Sequence, residues 1–193
     1  MHRHAFFTFL LFLSAAPALP AQVSLTFAAP DSAAIDTVPA GLSHATWDSL
    51  LQKHVSTAGK VDYKGFKADR AALQAYCRYL GDHPVQDDWS RAEKMAFWIN
   101  AYNAFTVKLI VDNYPTRSIM NFDGGKTWDV KRIRLGTQKY SLNNLENDIL
   151  RPQFKDPRIH FAINCAARSC PPLWNRAYTA ANLDSTLETR PRA

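Results

Sequence analysis

Apolar positions along the chain follow two periods. Between Ser90 and Asn113 they recur every three or four residues, through Met95, Trp98, Tyr102, Phe105 and Leu109 on one side. Phe97, Ala101, Ala104 and Val111 fill the other side, with Lys108 as the polar exception. That spacing predicts a helix apolar almost all round, and such a helix is buried on most sides. Ser90 and Glu93 have the S-x-x-E order of a capping box at its start, and Pro115 stands beyond its end. Period two follows in 130–135 and 138–142, with Gly136 and Thr137 between, which predicts a β-hairpin.

Weaker patterns complete the reading. Ser43 can cap a helix carrying Trp47, Leu50, Leu51 and His54. A second helix is expected from about Phe66 to Leu80, ended by Gly81 and Pro84. Asn143 and Glu146 can cap a helix reaching Leu150, stopped by Pro152. The run RIHFAIN, 158–164, suits a buried strand. Pro171 and Pro172 then forbid regular structure, and 179–189 reads as a last helix. The expected fold class is α+β: a central buried helix with a small antiparallel sheet. Such an architecture is compatible, by analogy alone, with a thiol-hydrolase-like arrangement.

The first residues change the picture of where the protein works. Arg3 supplies positive charge, Ala5–Leu13 is apolar, and small residues lead to Ala21. That is the order of a secretory signal, expected over 1–21, and its apolar run is shorter than the roughly 20 residues a bilayer demands. Residues 22–42, rich in Ala, Pro, Ser and Asp, read as a flexible linker before a single domain at 43–193. The expected location is periplasmic or secreted, with no stable membrane anchor after cleavage.

Composition fits a packed domain: 47% hydrophobic and 12% aromatic. A net charge of +6 could suit acidic partners such as anionic surface polymers. Its only tight group is Lys131, Arg132 and Arg134, which also reads as a solvated hairpin face. No nucleic-acid partner and no cofactor is expected, since no motif for either is present.

Four features could carry chemistry. Asn100 and Asn103 lie one turn apart in the most apolar helix, where they either brace loop backbone or orient a substrate carbonyl or an imidazole. His160 precedes Cys165 by five positions, and an imidazole can activate a thiolate nucleophile; a core histidine and a structural cysteine are the plainer reading. Cys165 and Cys170 can close a disulfide or contribute to zinc ligation, although a fourth ligand is not evident. Arg168 lies between them, with Glu146 and Arg151 upstream. Cys77 reads as a small buried hydrophobe.

The segments VDYKGF (61–66), FWINAYNAFTVKLI (97–110) and LENDILRPQFKDPRIHFAINCAARSCPPL (145–173) resemble those of the family catalogued as domain of unknown function 547. The likeness extends from about Trp47 to Leu187. The resemblance implies functional positions at Asn100, Asn103, Glu146, Arg151, His160, Asn164, Cys165, Ser169, Cys170 and Pro171. Members occur in bacteria, often behind signal peptides, and generally continue further. The chain therefore reads as C-terminally incomplete, with apolar surface of the central helix expected to be left bare.

Two functions follow from these readings. The first is an exported cysteine-dependent amide hydrolase or acyl transferase. Cys165 would be nucleophile and His160 base, with Asn100 or Asn103 as orienting or oxyanion group and Glu146 in support. The second is a non-catalytic module with a Cys165–Cys170 disulfide. Arg151, Asn164, Arg168, Ser169 and Cys170 would then help hold a small-molecule or peptide ligand. The export reading makes one prediction at once: N-terminal sequencing of the protein from an exporting host gives a start between Leu19 and Gln22, and an intact Met1 form as the only product contradicts it.

Overall fold

Ser90 starts the longest helix as its motif predicts. In the computed structural model, which describes residues 42–190 apart from Arg168, the Ser90 hydroxyl accepts from the Glu93 amide and the Glu93 carboxylate from the Ser90 amide. The expected leader, the linker up to residue 41 and the last three residues lie outside that range. Of the 22 residues in this helix, α4 (Arg91–Asp112), 15 are buried, so it is enclosed rather than laid on a surface. Met120 and Val130 are the only large hydrophobic residues exposed among those described, so the expected bare apolar face of α4 is not found.

Among the described residues, three helices precede α4. In α1 (Ala45–His54), Trp47 stacks on Tyr76 with ring centroids 5.8 Å apart. Ser43 does not cap α1 as expected; His44 holds that position. Its Nδ1 lies 2.7 Å from the Tyr76 hydroxyl. The expected helix 66–80 is two helices, α2 (Tyr63–Ala68) and α3 (Arg70–Asp82). Asp62 caps α2 by accepting from the Gly65 amide at 3.0 Å. Asp69 interrupts the pair because its carboxylate is drawn to Lys53 at 2.6 Å and His54 at 2.7 Å on α1. Those two groups hold the Asp69 carboxyl below the usual carboxylate range. Gly65 permits this packing: a Cβ there would sit 2.4 Å from His54 Nδ1.

The hairpin is shorter than its sequence pattern, with β1 (Ile133–Leu135) antiparallel to β2 (Gln138–Tyr140) and Arg134 opposite Lys139. Ile133 and Leu135 turn inward. The Gly136 amide donates to the Gly81 carbonyl at 2.8 Å, seating the turn on the end of α3. A Cβ on Gly81 would come within 2.9 Å of the Arg134 carbonyl, so glycine sets that approach.

Beyond the hairpin the backbone departs from the expected helix and strand. Ser141 and Asn144 exchange reciprocal bonds, where Asn143 was expected to cap. They open a π-helical segment, Asn144–Leu150, that runs into α5 (Arg151–Phe154). The expected strand 158–164 is instead a 3-10 turn, Pro157–Phe161. Pro157 cannot donate to a ladder, and Asp156 caps the turn by accepting from the Arg158 amide at 3.0 Å. The buried residues of the 158–164 segment, Ile159, Ala162 and Ile163, are spaced three and four apart from Ile159, the interval of a helical turn. The last helix, α6 (Leu183–Thr189), is held through Arg158, which bonds Asp184 and Glu188. The described fold is mostly helical with one two-stranded antiparallel sheet. No described helix is long and apolar enough to cross a membrane.

Burial pulls the His44 imidazole from 6.5 down to about 4. Above about pH 6.5 the ring is neutral in both folded and unfolded chains. Between these values only the unfolded chain takes up the proton, so stability is lost as pH falls. The expected loss is about 3 kcal/mol between neutrality and pH 4. Urea denaturation at a series of pH values measures it, and His44→Gln should remove most of the slope between about pH 6.5 and 4.5.

Candidate functional site

The buried amides of α4 decide where the cysteine loop lies. Asn103 donates to the Ala162 carbonyl at 2.9 Å and accepts from the Asn164 amide at 2.9 Å. Asn100, a turn earlier, donates to the Tyr178 carbonyl at 2.7 Å and accepts from the Tyr178 amide at 3.0 Å. Each side chain thus gives one amide hydrogen and its oxygen to loop backbone. The bonds they make are those of the bracing role, one asparagine to each loop.

The brace continues into the loop. Asn164 accepts from the Ala166 amide at 3.0 Å and donates to the Pro171 carbonyl at 2.8 Å, spanning both cysteines. Cys165 and Cys170 are joined in a disulfide, with Cα atoms 5.9 Å apart. Ala166 adopts a left-handed conformation, φ 58°, which disfavours residues with a Cβ. The disulfide and the Asn164 bonds close the loop around this residue, which is how such a conformation persists.

The expected Cys165–His160 pair is not formed. Cys165 carries no free thiol, and among the described residues no hydrogen bond links it to His160. His160 is exposed on the 3-10 turn with its ring edge-on to Phe161. Ser169 is exposed too, and Arg168 lies outside the described residues. Pro171 is buried and supplies the carbonyl that Asn164 holds.

Glu146 and Arg151 meet because of the π-helix. On an α-helix, residues five apart differ by about 140° around the axis. The wider turn closes an i+5 bond between the Arg151 amide and the Glu146 carbonyl, bringing the two side chains together. Arg151 Nη2 donates to Glu146 Oε1 at 2.6 Å, and the Tyr102 hydroxyl donates to Oε2 at 3.2 Å. Burial, reinforced by the Glu146 charge, pushes the Tyr102 hydroxyl pKa well up, so it stays a donor.

Glu146, Tyr102 and Cys165 share a cleft of about 700 Å³. Met120, Trp128, Asp129 and Arg117 complete much of its wall. Met120 is 53% exposed there. Arg117 has no ion-pair or hydrogen-bond partner among the described residues, whereas Asp129 accepts from Asn143 at 2.9 Å. Sequence reasoning missed Arg117, Met120, Trp128 and Asp129. Their only signal is an aromatic and an arginine flanking the Gly124–Gly125 loop, and period alone carries no such information.

A family model described as protein of unknown function, DUF547, matches residues 86–193, from just before α4 onward. No curated protein and no solved structure matches the chain.

Removing the Asn103 side chain orphans the buried Ala162 carbonyl and the partly buried Asn164 amide at once. Asn103→Ala should cost about 3 kcal/mol in urea denaturation, whereas the exposed Ser169→Ala should cost less than about 0.5 kcal/mol.

Proposed function

Because the chain belongs to the DUF547 family, whose description carries no activity, we propose from the geometry of the cleft that it is a binding module for a small, amphiphilic ligand such as a short peptide. The observation that carries this reading is the exposed Met120 on the wall of a 700 Å³ cleft, beside an uncommitted guanidinium. Exposed flexible thioethers next to an aromatic ring suit varied apolar groups. Arg117 offers a fork for a carboxylate, and Asp129 and Glu146 offer acceptors for amide or amine hydrogens. The size is that of small-ligand sites generally. The order of charge, apolar run and small residues before Gln22 supports placing this binding outside the cytoplasm, where a disulfide persists.

A second reading rests on Cys165 lining the same cleft. After reduction its thiol would stand there with Glu146 and Tyr102, and the site would become one for acyl transfer or amide hydrolysis. His160 would not be the base in that arrangement.

Saturation-transfer NMR with a mixture of N-acetylated tripeptides tests both readings. Binding without reductant, lost in Met120→Ser and Arg117→Gln at unchanged unfolding midpoint, is the expected result. Absence of binding, or binding indifferent to both variants, overturns the module. Peptide turnover seen only after reduction with dithiothreitol, and lost in Cys165→Ala, supports the hydrolase instead.

A further inference from the structure

The basic group on β1 has a role that the cleft does not use. Ile133 is buried between Arg132 and Arg134, so strand alternation turns both arginines to the outer face. The hairpin is clamped to α3 through Gly81, which brings this face against Arg78, three residues earlier on that helix. Lys108, the one cation inside the apolar pattern of α4, reaches the same place. Three elements thus deliver Arg78, Lys108, Arg132 and Arg134 to one open groove of about 350 Å³, with Phe105 and Gln74 among its walls and no carboxylate lining it.

The surrounding carboxylates orient these cations without neutralising them all. Asp112 pairs with Lys108 and Arg70, Asp123 with Arg132, and Asp82 with Arg134. Arg134 is fixed further by the Gly136 carbonyl at 3.2 Å. Five cations thus stand against three carboxylates, and Arg78 has no partner among the described residues. An unpaired guanidinium beside three oriented cations leaves the groove with an excess of positive charge. It suits a multiply charged, compact anion, and guanidinium forks match phosphate oxygens in pairs.

We propose that the groove between α3, α4 and β1 binds linked phosphate groups, through Arg78, Lys108, Arg132 and Arg134. The shared chemistry is phosphates linked close together, either in an oligophosphate free in solution or in the two phosphodiesters of a cardiolipin-type headgroup. The site is independent of the peptide cleft, since the two share no lining residue.

The test uses titration calorimetry with inorganic tripolyphosphate and sedimentation with cardiolipin vesicles. Arg78→Gln is exposed and unpartnered, so it should leave the unfolding midpoint unchanged while weakening binding about tenfold, with Arg78→Gln/Lys108→Gln weakening it further. Lys64→Gln on α2 removes the same charge elsewhere and should change affinity less than about twofold. Binding of tripolyphosphate supports the soluble source, and binding to the vesicles alone supports the lipid source. The proposal is overturned if neither probe binds, or if Arg78→Gln and Lys64→Gln weaken binding equally, which is the behaviour of net charge without a site.

Discussion

A carboxamide presents a donor and an acceptor side by side, and a loop without ladder or helix partners needs one of each. Asn100 and Asn103 supply this to residues 178 and 162–164 from the buried, mostly apolar middle of α4. The exchange is worth more there than in water, because an orphaned amide in that interior has no other partner. Through Asn103 the rigidity of α4 passes to Asn164, and through Asn164 to both ends of the disulfide loop. The cleft wall at Cys165 and Ala166 is thus built from the core outward.

This arrangement separates positions that look functional from those that face a ligand. Asn100, Asn103 and Asn164 are spent on backbone, and Glu146 divides its oxygens between Tyr102 and Arg151. Arg117 and Met120, on the segment after α4, line the cleft without such commitments. A braced scaffold that carries its variable contacts on a loop is the usual division of labour in binding proteins.

Periodicity made α4 legible, since its capping box and its apolar rows are local signals. The hairpin centre at Gly136 was legible for the same reason. The break at Asp69 was not, because it depends on Lys53 and His54 of another helix. The 158–164 segment was misread as a strand, although Ile159, Ala162 and Ile163 already had a helical interval. Short apolar runs satisfy both periods, and Pro157 with the Asp156 cap settles the matter locally. For the site, the buried amides and the two cysteines were visible as candidates, but their partners were not. Whether an asparagine aims at backbone or at substrate is set by residues 59 to 78 positions away. The π-turn that joins Glu146 to Arg151 has no period that sequence reading tests for.

The Asn164 brace and the Cys165–Cys170 bond together make Cys165 an oxidised part of the cleft wall and not a free nucleophile. Alkylation of the native, unreduced protein with iodoacetamide, followed by peptide mapping, tests this most directly. Cys165 and Cys170 should both remain unlabelled and be recovered on one cross-linked peptide, and both should label after reduction. Labelling of Cys165 in the native protein without reductant would contradict this.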